Sequence, residues 1–322
     1  MWRIEPVPSR CVQEALRFLV GAEAAPSIGL GAGPSTWLGA GPAAKSQVAS
    51  LTALLRAPAG ADLWWAWDGR PAAAALVSHH AGRTGFLFHS PLGAPGVDRT
   101  ALAQVVRSAT EAALSAGLRF VQVSMLRDGL PERAAAEEWG YRFVAELFYM
   151  TLELASVRVL PAPPGQSTER GTDLSWRAYG RFTEAELGDL ILATYEGSQD
   201  CPVLLPLRPA ADVLTTHKAG GALGAGSWWI LDVDGRPAGC VLVNDRPLES
   251  AAEVEYLGLL PACRGRGLAR RLIERAAAGA ASRGMERLLL ACDSRNARAL
   301  RAYARAGFRR THSRWMFAAI RA

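Results

Sequence analysis

The stretch Glu253-Val-Glu-Tyr-Leu-Gly-Leu-Leu-Pro261-Ala-Cys-Arg264-Gly265-Arg266-Gly267-Leu268-Ala269 is the most informative part of this 322-residue chain. A strand runs into a tight loop with two glycines. A helical pattern follows, with Leu268, Leu272, Ile273, Ala276 and Ala280 on one face. Glycine permits φ > 0 and lets a ligand approach the main chain closely. The first N–H groups of a helix lack intrahelical acceptors, and with the positive end of the dipole they form an anion site. Arg264, Arg266, Arg270 and Arg271 add charge around it. The segment therefore predicts a pyrophosphate seated on the N-terminus of the Leu268 helix. It is not a dinucleotide fingerprint, because Arg270 stands where the third glycine would be, and it is not a P-loop, because no Gly-Lys-Ser/Thr follows.

Around this stretch the second half alternates strands and helices. Asp173–Arg177 reads as a strand, and Thr183 with Glu186 as a capping box opening a helix whose buried face is Leu187, Leu190, Ile191 and Thr194. A second short helix ends near His217, and Gly220–Gly226 is a glycine-rich loop. Trp228–Val233 and Ala238–Asn244 form a hairpin turned at Asp234-Gly235. After Glu253–Leu260 and the Leu268–Arg283 helix come a buried strand, Leu288–Ala291, a helix over Asn296–Ala306, and a last strand, Arg314–Ile320. Glu253 and Glu255 lie two apart, so a regular strand turns both to one side. Carboxylates in a buried strand are costly to ionise, and desolvation raises their pKa toward the working range of a base.

The first half repeats this order more faintly. Leu63–Trp67, Asp68-Gly69 and Ala72–Ser78 form a hairpin, followed by strand Phe86–His89, helix Thr100–Ala116, strand Phe120–Met125, a short helix ending at Gly140, and strand Phe143–Leu154. The endings Ala136-Glu-Glu-Trp-Gly140-Tyr and Tyr303-Ala-Arg-Ala-Gly307-Phe run parallel, as in a degenerate duplication. Between the halves, Leu160–Gly171 is rich in Pro and Gly and reads as a linker. The division is thus 1–158, linker 159–171, and 172–322. In the first half, Gly39–Ser46 is one glycine short of a Walker motif, with Pro42 blocking a cradle N–H, and Leu30–Pro34 recurs as Leu38–Pro42.

Arg264-x-x-Gly267-x-Ala269 resembles the Gln/Arg-x-x-Gly-x-Gly/Ala pyrophosphate motif of the GNAT (Gcn5-related N-acetyltransferase) superfamily. Asn296, the helix carrying Tyr303, and Gly307-Phe308 resemble its second hallmark, at a spacing that fits one helix and one strand between. The resemblance covers about residues 172–322. It implies an α/β (α+β) fold class: two tandem GNAT-like domains, each a mixed, mostly antiparallel twisted sheet flanked by helices. It implies acetyl-CoA as co-substrate and no metal. The acetyl group would pass to a primary amine of a small molecule or peptide by direct attack in a ternary complex. Strand Glu253–Leu260 would part from Leu288–Ala291, and main-chain groups near Leu257 and Leu259 would hold the pantetheine arm. Amides of Arg264, Gly265, Arg266, Gly267, Leu268 and Ala269 would take the pyrophosphate, with Asn296 and Tyr303 completing the site. Tyr303 would protonate the leaving thiolate, its alternative being a core aromatic beside Ala299 and Leu300. Glu253, at roughly the place of the family's strand-borne glutamate, or Glu255, nearly as well placed because loop length before the glycines varies, would be the base, directly or through water, unless they meet solvent or an arginine. The acceptor would lie near Tyr195–Pro202 and His312–Trp315, with Glu196 or Asp200 available to an amine. The first half has no matching glycine motif, and Ala136 stands at the place of Tyr303, so it would supply packing or pocket walls.

Composition narrows the alternatives. Half the residues are apolar, a fifth charged, and the net charge is +6 with Lys45 and Lys218 the only lysines. So small an excess without a basic face does not ask for nucleic acid. Five scattered cysteines without a CxxC pair and five histidines without HExxH suggest reduced thiols and no metal site, as in a cytoplasmic protein. The N-terminal residues lack a signal-peptide core, and no run of apolar residues is long enough to span a membrane. The alternative function is an acyl-CoA-binding regulatory or scaffold protein with weak catalysis; oligomeric state stays open.

Overall fold

The structure, a computed structural model, describes residues 2–20, 44–57, 59–126, 129–156, 166–169, 172–220 and 227–321. The Leu30–Pro42 repeat and the Gly39–Pro42 part of the Walker-like stretch lie outside the described residues, as do most of the 159–171 segment and Gly221–Gly226.

The chain forms two compact units, Met1–Ala145 with Arg314–Ala322, and Glu146–Ser313. In the first, β1 (Arg3–Pro6) is followed by α1 (Val12–Val20), α2 (Ala44–Arg56), β2 (Ala61–Trp67), β3 (Pro71–His80), β4 (Thr84–His89), α3 (Arg99–Ser115), β5 (Phe120–Leu126), α4 (Leu130–Glu138) and the start of β6 (Arg142–Glu153). The strands pair in the order β1-β2-β3-β4-β5. Asp98 caps α3 by accepting from the Ala101 N–H at 2.7 Å, and the helix buries Leu102, Val105, Val106 and Ala109 on the sheet. β4 and β5 are parallel and paired only at Thr84–Phe86 with Phe120–Gln122. Arg314–Ile320 then pairs antiparallel with β5.

The second unit repeats this plan: β7 (Gln166–Glu169), β8 (Thr172–Ala178), α5 (Glu184–Thr194), α6 (Ala210–Ala219), β9 (Trp228–Val233), β10 (Arg236–Arg246), β11 (Ala251–Leu259), α7 (Leu268–Ser282), β12 (Arg287–Asp293), α8 (Ala297–Arg305) and the start of β13 (Arg309–Ile320). The strands pair in the order β7-β8-β9-β10-β11-β12, and Leu147–Glu153 of β6 adds antiparallel to β12. The Thr183–Glu186 capping box forms in both directions, at 2.7 and 3.1 Å, worth about 1 kcal/mol. Asp234 and Gly235 both take positive φ, as the two-residue hairpin turn requires. One core lies between the sheet and α7, with Leu272, Ile273 and Leu290. Another lies under α5 and α6, with Ile191, Val213 and Trp228.

Two readings of the sequence change here. Within the expected 159–171 linker, Gln166–Glu169 form an edge strand on β8. The units also do not divide at that segment. A strand belongs to the sheet whose edge it pairs with. The far end of β6, expected in the first domain, therefore completes the second unit, and Arg314–Ile320, expected in the second domain, completes the first. β1 and α1 are elements that composition and periodicity had not singled out.

Candidate active site

The second unit opens a cleft of about 1070 Å³ where β11 leaves β12. The two are parallel and pair only at Ala251, Ala252 and Glu253 with Arg287, Leu288 and Leu289. Beyond Glu253 that edge of β11 pairs with no strand among the described residues, and Leu257, Gly258 and Leu259 line the opening. The cause lies on the other edge. Against β10, Leu242 faces Tyr256 and Val243 faces Val254, so Glu255 is an extra, bulged residue. A bulge bends its strand and sharpens its twist, and this one bends β11 away just after β12 lets go.

The bulge also re-aims side chains. Val254 and Leu257 pack on the α7 side, whereas Tyr256 joins the α5–α6 core. Glu255 turns toward α6, where its carboxylate lies against Gly220; a methyl group on Gly220 would overlap it. Arg246 stands between the two glutamates. Its guanidinium donates to Glu253 through Nε (2.6 Å) and Nη2, and its Nη2 lies 3.5 Å from Glu255. All three side chains are buried, at 6% (Arg246), 3% (Glu253) and 5% (Glu255) exposure. Burial pushes the Glu255 carboxyl well above the usual carboxylate range. The Glu253 charge adds to this and Arg246 opposes it. Family resemblance sets Glu253 slightly ahead of Glu255; here Glu253 is engaged by Arg246, while Glu255 lines the cleft and Glu253 does not.

At the mouth, Gly265 and Gly267 take φ of 77° and 79°, with open space where a side chain would be. Gly267 is the residue before α7, and no side chain caps the helix. The N–H groups of Gly265 to Ala269 meet no acceptor among the described residues. This cradle of uncapped donors fits a pyrophosphate. Arg264 keeps its charge beside this cradle but directs its donors at main-chain carbonyls. Its Nε donates to the Leu259 carbonyl (3.1 Å) and its Nη2 to the Thr194 carbonyl (2.9 Å), so it braces the loop against β11 and α5. Arg270 and Arg271 both pair with Glu274.

Deeper in the cleft Tyr303 projects from α8, buried and edge-on to Phe308. Burial raises its pKa well above the usual phenol, so the hydroxyl keeps its proton. Asn296 caps α8 by accepting from the Ala299 N–H at 3.2 Å while lining the cleft. Asp200 lies at the inner end, one oxygen accepting from the Asp293 N–H at 2.9 Å, its carboxyl raised by burial. Tyr256 and Thr194 share a 2.5 Å hydrogen bond beside it. His217, its pKa pushed down to about 3 by burial, lies edge-tilted to Tyr256 and stays neutral.

Of the expected acceptor residues, Gly197, Ser198, Gln199 and Asp200 line this cleft, whereas Glu196 and His312–Trp315 do not. His312 stacks on Tyr149, and Trp315 lies under Arg133 in the first unit. Trp228 is core, donating to Asn244 at 3.0 Å, and Trp229 holds Arg275 over its face. Sequence reading missed Arg246, Gly220 and Thr194. A buried cation opposite Glu253 follows only from the β10–β11 register. Among the described residues no His, Cys, Asp or Glu cluster could hold a metal ion, and no helix is long and apolar enough to cross a membrane.

Residues 193–308, all in the second unit, match the acetyltransferase (GNAT) family. A GCN5-related N-acetyltransferase from Sphaerobacter thermophilus is similar in structure, with a TM-score of 0.58 at 16% identity, covering 99% of this chain and 95% of its own. A tandem GNAT protein from the clavulanic acid biosynthesis pathway has a TM-score of 0.50 at 18% identity, over 100% of this chain and 99% of its own. A GCN5-related glucosamine N-acetyltransferase region in a fungal multi-domain GH3 β-N-acetylglucosaminidase reaches 0.56 at 12% identity, over 98% of this chain and 38% of that one. At these identities the likeness is one of fold. No curated protein matches the chain in sequence. The family match thus lies on the second unit, and the chain as a whole shares the fold of these N-acetyltransferase structures, a tandem one among them.

Proposed function

We propose that the second unit moves an acetyl group from acetyl-CoA to a primary amine of a small molecule or peptide, by direct attack in a ternary complex. The observation that carries this reading is the single cleft joining the uncapped glycine loop, the unpaired edge of β11, Glu255 and Tyr303. The loop amides bind the pyrophosphate, and main-chain groups at Leu257 and Leu259 align the pantetheine arm. The Leu259 carbonyl is already held by Arg264, which leaves the neighbouring groups for that task. A β11 N–H polarises the thioester carbonyl. Glu255, directly or through a water, takes the proton of the attacking ammonium. Nitrogen bonds to the carbonyl carbon, the carbon–sulfur bond breaks, and Tyr303 donates to the departing thiolate. Asp200 offers a carboxylate to the incoming amine. The first unit, whose Ala136 stands in place of Tyr303, is structural.

The decisive assay is thiol release from acetyl-CoA against amino acids, aminoglycosides, polyamines, amino sugars and peptide N-termini. Turnover with at least one amine is expected. Binding without turnover on any amine would favour an acyl-CoA-responsive scaffold instead.

Two variants follow from the geometry. Tyr303→Phe keeps the ring packing and removes the donor, so kcat should fall by about 10²-fold while acetyl-CoA affinity holds; unchanged turnover would remove Tyr303 from the chemistry. Gly220→Ala is compatible with the right-handed helical backbone there, φ −69°, yet its methyl group displaces the Glu255 carboxylate. A misplacement near 1 Å costs about 10²-fold, so kcat should drop by tenfold or more with acetyl-CoA binding intact.

A further inference from the structure

The segment between α5 and α6 carries a cation that the mechanism leaves unused. Leu204 is buried and anchors the segment, and Leu205–Leu207 form one 3₁₀ turn that ends at Arg208. Pro209 follows, and a residue before proline is pushed to extended backbone; Arg208 has φ −115° and ψ 92°. The arginine is thus set, half-buried, just ahead of α6. Its guanidinium is close enough to act on the charges of Tyr195, Asp200, Cys201 and His217. Yet among the described residues its side chain has neither a hydrogen bond nor an ion pair, and its Nε is buried.

Two more orphaned atoms lie in the same neighbourhood. His217 Nε2, on a residue 6% exposed, and Glu255 Oε1 are also buried without a hydrogen-bond partner among the described residues. The Tyr256 ring joins the group, its centroid 5.6 Å from that of His217 and 6.0 Å from that of Tyr195. Asn244 donates to the His217 carbonyl at 2.5 Å, and the Glu255 carboxylate lies against Gly220, the end of the same helix. Unmet buried polar atoms are costly and scarce in folded proteins, so several in one place call for an external partner. The charges here sort by sign. Asp200 and Glu255 line the cleft where an ammonium would enter. Of the nearby arginines, Arg246 is held by Glu253 and Arg295 by Asp293, whereas Arg208 has no counter-ion among the described residues.

Resting on the acetyl-transfer reading, we propose that Arg208 binds a carboxylate of the acceptor, so that the substrate class is an amine bearing a free carboxylate: an amino acid or a short peptide. The ammonium end goes to Asp200 and Glu255, and the carboxylate end to Arg208. A guanidinium offers a carboxylate two parallel N–H donors. One unpaired cation balances one carboxylate, whereas a phosphate dianion asks for more charge than Arg208 supplies. Polyamines and aminoglycosides carry only positive charge and would set further cations beside Arg208.

The test is acetyl-transfer kinetics of the full chain on free amino acids and dipeptides, each paired with its carboxamide, beside polyamines, aminoglycosides and amino sugar phosphates. The free acids should exceed their amides at least tenfold in kcat/KM. In Arg208→Met that ratio should fall toward one, with the loss in KM, because the contact is made in the ground state and the transition state alike. Arg208→Lys should recover part of the ratio, because the charge remains. A merely structural arginine would lower acid and amide together and leave the ratio standing, which overturns the inference. Equal use of acid and amide by the natural sequence overturns it too, as does turnover confined to polyamines, aminoglycosides or amino sugar phosphates. Each of these results leaves acetyl transfer intact. Acetyl-CoA binding without turnover on any amine overturns both readings.

Discussion

Glu255→Gln should lower kcat/KM by about 10²- to 10⁴-fold at neutral pH, the range of a positioned general base. Acetyl-CoA affinity should hold, because the carboxylate lies on the α6 side of the bulge, away from the glycine loop. The substitution is isosteric and removes a charge from a buried site that also holds Glu253 and Arg246, so the fold should tolerate it. A base works only when deprotonated, so activity rises as pH passes upward through its pKa. Burial and the Glu253 charge hold that pKa above the ordinary carboxylate value near 4.3. The acid limb of the natural sequence's activity should therefore lie well above that value and vanish in Glu255→Gln. Glu253→Gln is the informative contrast. It removes the repelling charge and leaves Arg246 to Glu255 alone, so the limb should move to lower pH with activity largely kept. A Glu255→Gln profile that keeps its acid limb would assign the base elsewhere.

Gly267→Glu should weaken acetyl-CoA binding by at least 10²-fold. Two effects act together. The position has φ 79°, where an L residue costs about 1–2 kcal/mol. The new carboxylate also competes with phosphate for the uncapped N–H groups of α7. Open space surrounds the glycine, so the side chain can be housed without disturbing the core. Gly267→Ala carries the backbone strain without the charge and should lose much less. Equilibrium binding of acetyl-CoA, with melting temperature as a folding check, separates the two. Retained tight binding in Gly267→Glu would move the pyrophosphate away from this loop.

The order of elements was legible in the sequence because it rests on local signals. Thr183 and Glu186 cap a helix, Asp234-Gly235 turns a hairpin, and the apolar face from Leu268 to Ala280 marks α7. The parting of β11 from β12 was expected from family resemblance, but its physical cause was not visible. A bulge at Glu255 is a property of register against β10, and no residue type at 255 announces it. The same register brings Arg246 to Glu253, which separates two glutamates that strand alternation alone had made alike. Arg264 shows the converse limit. A motif arginine beside a phosphate loop suggests a phosphate ligand, yet its hydrogen bonds go to the Leu259 and Thr194 carbonyls. The domain division failed for a topological reason, since proline and glycine content marks where a chain turns and not which sheet edge a later strand will complete.

That completion has a consequence for biosynthesis. The first unit owes its strand beside β5 to Arg314–Ile320, which is synthesised only after Glu146–Ser313 of the second unit. Until it emerges, β5 presents a row of unmet main-chain donors and acceptors, the kind of edge that recruits other chains. The first unit is begun before the second and completed only after it, so fragments ending near residue 158 should be the aggregation-prone products of interrupted synthesis.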